Sequence, residues 1–167
     1  MRESFLKDAV QAVLATAGAV LVYSLAGSSG PALLVVLNAF SVVVLYFAVR
    51  RGEVFGAVLG TVCGLVQDSF SLGVFGVGGL TKTLLGFWAG YISRRVDVSP
   101  FLRNAAFMLA MAFLEVVLGV MLKALVRVEH FNLQGGLVFL QPLVTAVLGS
   151  SLVAVERRLR GRSLRGA

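Results

Sequence analysis

The chain has 167 residues, of which 58% are hydrophobic and only 14% charged, and its formal net charge is +7. A soluble domain is nearer half apolar and a quarter charged, and a chain this short cannot bury so much excess apolar surface in its own core. The composition therefore excludes an ordinary soluble domain. The basic residues flank apolar segments, which indicates membrane topology rather than nucleic-acid binding. One cysteine and one histidine exclude an internal disulfide and a Cys/His metal cluster.

Six apolar segments follow one another along the chain, separated by short polar breaks. A helical crossing takes about 20 apolar residues, so six crossings use roughly 120 residues and leave no room for a second, soluble domain. We predict an all-α integral membrane protein, a compact bundle of six transmembrane helices in residues 1–156, followed by a basic tail at 157–167. The predicted spans are residues 9–26, 31–49, 54–67, 72–92, 101–126 and 136–155.

The basic residues are distributed unevenly between the two sides of this six-span arrangement. Twelve of the fifteen Lys and Arg residues fall at the N-terminus, in the second and fourth connections and in the tail. This asymmetry predicts that both termini are cytoplasmic. We expect the tail to attract anionic lipid, and a cytoplasmic protein partner is the alternative. Its basic residues are Arg157, Arg158, Arg160, Arg162 and Arg165.

Glycines recur every four residues along the third and fourth predicted spans. Spacing of four places them on one helix face, where the missing side chains let a second helix approach closely. We predict that they form a helix-packing seam. The glycines are Gly52, Gly56, Gly60 and Gly64 on the third span, and Gly86 and Gly90 on the fourth.

The third span is short and ends on Asp68, beside Ser69 and Ser71. Asp68 could cap or terminate a helix, or it could organise a re-entrant turn whose backbone stays hydrogen-bonded at membrane depth. Contact with a ligand is a third interpretation. We expect this span to be short or partly re-entrant.

Two opposite charges lie within predicted spans at similar depth. Lys82 is about ten residues, and so roughly 15 Å, from the outer end of its span, and Glu115 is at a comparable depth in the fifth. An unpaired charge at such depth costs about 3 kcal/mol or more. We therefore predict that Lys82 and Glu115 face the interior and pair, either directly or through Asp68 or water. A proton or ion relay is the alternative, which a single acid–base pair supports poorly.

The sequence contains no nucleophile–base pair, phosphate loop or cofactor fingerprint. We therefore predict that the protein is not an enzyme and that it needs no cofactor or metal.

Residues 64–80, GLVQDSFSLGVFGVGGL, resemble the central motif of the rod shape-determining protein MreD family. That motif has a glycine-rich helix, an aspartate, a serine three residues later, a glycine five further on and a leucine four beyond. These fall on Gly64, Asp68, Ser71, Gly76 and Leu80. The family often has Gly-Ser-Pro between the serine and the glycine, whereas this chain has residues 72–75, LGVF, so its loop shape differs.

The resemblance implies a scaffold of the bacterial cell-elongation machinery in the inner membrane, which supports rod shape and lateral peptidoglycan synthesis. It implies binding to MreC, and proximity to RodA, a class B penicillin-binding protein and MreB. It also implies a fold similar to the substrate-binding subunits of energy-coupling-factor vitamin transporters. Such a subunit, with a pocket opening outward near Asp68, is the alternative function. Self-association and the helix that contacts MreC are left open.

Overall fold

The computed structural model describes residues 2–29, 38–70, 74–96, 101–126 and 140–163, with side chains described from residue 8 to 25 in the first range and to 155 in the last. Within these residues the secondary structure consists of helices and turns, with no strand. This agrees with the predicted all-α class. The helices are α1 (Arg2–Ser29), α2 (Ala39–Arg51), α3 (Glu53–Phe70), α4 (Val77–Ser93), α5 (Phe101–Leu125) and α6 (Leu140–Ser163).

The helix α2 begins later than the second predicted span. Asn38 is not helical (φ −85°, ψ 74°), and its side chain accepts a hydrogen bond from the backbone N–H of Ser41. Asn38 is therefore the N-cap of α2, and a single helix over 31–49 is wrong because it would have to pass through this cap. Residues 31–37 lie outside the described residues. With 13 residues, α2 is only about 20 Å long.

The helix α3 is longer than predicted and continues through the polar residues at its end. It has 18 residues and reaches Phe70, whereas the prediction placed a polar break from Asp68 onwards. Ser69 donates a hydrogen bond to the Leu65 carbonyl four residues earlier, as Thr61 does to Ala57. Because these hydroxyl groups are satisfied inside the helix, they need not end it. The fourth predicted span is correspondingly too early, since α4 starts at Val77.

The helix α2 lies at the centre of the bundle and contacts each of the other five helices. Most of its residues are buried, and Leu45 and Ala48 join side chains of α4, α5 and α6 in one apolar cluster. A second cluster joins α2 to α1 and α3 through residues such as Phe40 and Cys63. The helices α3 and α4 form the most extensive contact in the structure.

The last helix extends into the predicted tail. α6 runs to Ser163, so the backbone at four of the five tail arginines is helical, and Arg165 lies outside the described residues. Residues 136–139 of the sixth predicted span also lie outside them.

Within the part of the chain that the structure describes, two helices are long and apolar enough to cross a membrane by length and composition, Asp8–Leu25 in α1 and Phe101–Leu125 in α5. Only 17% and 22% of these windows are buried inside the bundle. A core helix of a soluble protein would be mostly buried, so their exposed apolar surface indicates a lipid environment. Residues Leu140–Val155 of α6 form a shorter apolar helix.

Candidate functional site

The glycines of α3 and α4 face each other across an antiparallel helix pair. A Cβ atom built on Gly56 would lie 2.5 Å from the Gly86 carbonyl oxygen, and one built on Gly60 would overlap the Lys82 carbonyl. Gly64 lies in the same way against the backbone of Gly78. These positions have no room for any side chain, so the two backbones are in direct contact as in other small-residue helix interfaces.

Gly52 has a different role from the helical packing position that the spacing suggested. It is the one-residue joint between α2 and α3, with φ +93°. A Cβ there would also overlap the Arg94 guanidinium. Glycine is required because the backbone is left-handed and a cation covers it. Gly90 lies at the same end of the glycine series as Gly52, and it packs against the backbone of Gly52 and Glu53.

Asp68 caps the helix that follows it in the chain. Its Oδ2 accepts hydrogen bonds from the backbone N–H groups of Gly76 (2.8 Å) and Gly79 (3.1 Å), and the residue is 8% exposed. These donors are the unsatisfied N–H groups at the start of α4, where a negative charge is also favoured by the helix dipole. The carboxylate therefore ties the end of α3 to the start of α4.

The remaining motif residues separate into two environments. Gly76 holds φ +99° at the N-cap of α4, and a Cβ on Gly78 would overlap Asp68 Oδ1. Leu80 points outward and is 58% exposed. Ser71 lies outside the described residues. The motif thus places Gly64, Asp68 and Gly76 around one helix–helix corner, with Leu80 on the outer surface.

Lys82 and Glu115 meet in the interior, 2.5 Å apart between Nζ and Oε1. They are 2% and 5% exposed. Ser41 lies between them, because its hydroxyl accepts from Lys82 Nζ (2.6 Å) and donates to Glu115 Oε1 (2.5 Å). Asn38 completes the cluster: it donates to Glu115 Oε1 (3.0 Å) and accepts from Lys82 Nζ (3.3 Å). The direct contact requires no bridge through Asp68.

This charge cluster, defined as Asn38, Ser41, Lys82 and Glu115, joins three helices. Asn38 is the N-cap of α2 and Ser41 lies in its first turn, whereas Lys82 belongs to α4 and Glu115 to α5. Two buried opposite charges satisfy each other here, and the cap residue of α2 provides additional hydrogen bonds. Sequence reasoning missed Ser41. The available signal was its position three residues after Asn38, the spacing of a helix cap.

A second ionic cluster was also missed, at the opposite end of α3 from Asp68. Asp8 of α1 pairs with Arg51, and Glu53 Oε2 lies 3.3 Å from Arg94 Nε. Arg94 also donates to the Arg51 carbonyl oxygen (3.1 Å). The available signal was that Asp8 and Glu53 are acidic residues next to apolar segments whose flanks are otherwise basic.

An all-helical bundle with apolar outward faces and a buried ion pair belongs to the class of helical membrane proteins. The family model of the rod shape-determining protein MreD matches residues 9–155. This chain belongs to the MreD family, and it is accordingly a bacterial membrane protein with a role in rod shape determination. The family is one of shape-determining structural proteins and is not known for catalysis. The same comparisons found no matching curated protein and no matching solved structure.

Proposed function

We propose that this protein is a non-enzymatic membrane scaffold of the bacterial cell-elongation machinery, which binds MreC and supports rod shape and lateral peptidoglycan synthesis. The observation that carries the proposal is the family match over residues 9–155. RodA, a class B penicillin-binding protein and MreB are the expected neighbours of such a complex.

The use of the motif residues supports a scaffold rather than a ligand pocket. The backbone N–H groups of Gly76 and Gly79, at the start of α4, donate to Asp68 Oδ2, and Gly56, Gly60 and Gly64 are covered by the backbone of α4. These side chains and backbones are engaged in holding α3 and α4 together. A rigid pair of this kind presents a constant outer surface to partner helices, which favours binding without a large ordering cost.

The second part of the proposal concerns topology, with six crossings and both termini in the cytoplasm. The ionic cluster supports it, since Asp8, Arg51 and Arg94 lie at one end of the bundle. The six-span arrangement assigns the N-terminus and the second and fourth connections to one side, and these are the segments that carry the three residues. The excess of basic residues there would make that side cytoplasmic.

Affinity purification from native membranes tests the partner. A C-terminally tagged chain, expressed at its natural level, should retrieve an MreC protein in near-stoichiometric amount, with smaller amounts of RodA and the penicillin-binding protein. Retrieval of transporter ATPases without cell-wall proteins would contradict the scaffold and favour a vitamin-transporter subunit. A tagged membrane protein of unrelated function provides the background control.

A complementation assay tests the cellular role independently. In rod-shaped cells depleted of their own MreD, the wild-type chain should restore rod morphology. A Gly60→Leu variant should not, because the leucine has no space at the α3–α4 contact. Gly119→Leu is the matched control, since no atom lies within 4 Å of a Cβ built at that glycine.

A further inference from the structure

The outward face of α4 carries a continuous apolar stripe that ends in a basic residue. Leu80, Leu84, Phe87 and Trp88 are all exposed, from 39% to 58%. Tyr91 follows at the same helical spacing, so the five side chains lie on one face. We call this face, together with Arg95, the α4 stripe.

The aromatic end of the α4 stripe is an ordered stack. The Phe87 and Tyr91 rings are parallel within 10°, with centroids 6.2 Å apart, and the Trp88 ring meets both edge-on. The exposed guanidinium of Arg95 lies over the Tyr91 ring, 4.3 Å from its centroid. A cation held this way keeps its N–H donors free of the ring plane and available to an oxyanion.

The length of the stripe matches one leaflet of a bilayer. Leu80 and Tyr91 are eleven residues apart, which is about 16 Å along a helix. Half of a hydrocarbon core is about 15 Å. When Tyr91 lies at the level of the headgroups, where such rings are enriched, Leu80 reaches the bilayer midplane.

We propose that the α4 stripe is a binding site for one anionic glycerophospholipid. An acyl chain lies along Leu80, Leu84 and Phe87, and the phosphate accepts hydrogen bonds from Arg95. Charge complementarity selects this occupant. The exposed end of the stripe is cationic because of Arg95, whereas the neighbouring Arg94 pairs with Glu53 of α3. The site requires only that α4 faces lipid, so it does not depend on MreC binding.

The single tryptophan of the chain makes this proposal directly measurable. Trp88 lies within the stripe, so its fluorescence is quenched when a brominated acyl chain occupies the site. The protein is reconstituted in phosphatidylcholine vesicles that contain phosphatidylglycerol, with bromine near the top of the acyl chains of one lipid or the other. We expect brominated phosphatidylglycerol to compete for the site about fivefold better than brominated phosphatidylcholine. That factor corresponds to about 1 kcal/mol for one arginine at the membrane surface.

Two charge variants localise the preference. Arg95→Gln should abolish the preference, so that brominated phosphatidylglycerol and brominated phosphatidylcholine compete for the site about equally. Arg103→Gln is the matched control, because Arg103 is also an exposed arginine but belongs to the first turn of α5 rather than to α4. It should retain the fivefold preference. Equal loss in both variants would overturn the proposal, since it would indicate diffuse attraction by the basic surface.

Three further outcomes decide the identity of the occupant. Equal quenching by both brominated lipids in the wild-type protein would mean ordinary surrounding lipid and would refute the site. Absence of quenching by either lipid would mean that a protein surface, such as a second copy of the chain, covers the stripe. If an unlabelled polyprenyl phosphate restores fluorescence at much lower mole fraction than phosphatidylglycerol does, the assignment to a glycerophospholipid is wrong. Because MreC is absent from these vesicles, the result is separate from the test of the proposed function.

Discussion

The Lys82–Glu115 ion pair provides the sharpest test of how the bundle is held together. Lys82→Met keeps the length of the side chain but removes its charge. The buried Glu115 carboxylate then keeps its hydrogen bonds from Ser41 and Asn38 but loses its opposite charge. Among the residues that the structure describes, Glu115 Oε2 already has no hydrogen-bond partner. Breaking a buried pair by removing one partner costs about 3–5 kcal/mol, so we expect a loss of this size in the free energy of unfolding.

The double variant Lys82→Met/Glu115→Gln should recover part of that loss. With both charges gone, no uncompensated ion remains in the interior, and the glutamine can still accept hydrogen bonds from Ser41 and Asn38. We expect the double variant to be more stable than the sum of the two single losses predicts, by about 2 kcal/mol, because contacting residues couple. Unfolding titrations in mixed detergent micelles measure all four proteins of the cycle.

The reasoning is refuted if the two losses add within about 0.5 kcal/mol, the range expected for independent sites. A matched control comes from the ionic cluster at the end of the bundle. Arg94 pairs with Glu53 but is 60% exposed, so Arg94→Met should cost at most about 1 kcal/mol. A loss for Arg94→Met as large as that for Lys82→Met would show that the assay does not distinguish buried from exposed pairs.

The remaining predictions concern the glycine seam, the helix cap and the centre of the charge cluster. Gly60→Ala should destabilise the protein by about 2 kcal/mol in the same titration, because the methyl group overlaps the backbone of α4, whereas Gly119→Ala should be neutral or slightly stabilising. Asp68→Ala should cost about 1–2 kcal/mol by removing the cap of α4, and Asp68→Asn, which keeps an acceptor oxygen, should cost less. Ser41→Ala should cost about 1–3 kcal/mol, because the hydroxyl that bridges the two buried charges is lost.

Each of these predictions has an outcome that contradicts it. Equal effects of Gly60→Ala and Gly119→Ala would mean that the contact between α3 and α4 has room for a methyl group at Gly60. An Asp68→Asn variant as unstable as Asp68→Ala would mean that the charge, rather than the hydrogen bonds to Gly76 and Gly79, is what matters. A neutral Ser41→Ala would mean that the lysine and glutamate need no bridging hydroxyl.

Several features followed from the sequence because they depend on composition and local spacing. Six apolar segments predicted six helical regions, and a described helix overlaps each of them. Glycines four residues apart predicted a packing face, and the structure places Gly56, Gly60 and Gly64 against α4. Opposite charges at equal depth predicted a pair, because lipid and protein interiors both penalise an isolated charge.

Other features depend on which parts of the chain meet, and local patterns do not contain that information. The boundary of α2 is set by Asn38. Its side-chain amide also donates a hydrogen bond to Glu115 of α5 and accepts one from Lys82 of α4. The polar residues after Gln67 looked like a break, yet α3 continues to Phe70. Gly52 had the spacing of a packing residue but serves as a left-handed joint beneath Arg94.

The amino-acid sequence by itself indicated the lipid environment of this protein, its helical class and its family, because hydrophobicity, periodicity and a short motif are properties of the chain. Only the tertiary structure decided what the polar residues do. Asp68 was compatible with a cap, a turn or a ligand until α4 was placed beside it, and Ser41 had no evident role until Lys82 and Glu115 lay on either side. Such roles depend on contacts between helices distant in sequence, and those contacts exist only once α2 is packed at the centre of the bundle.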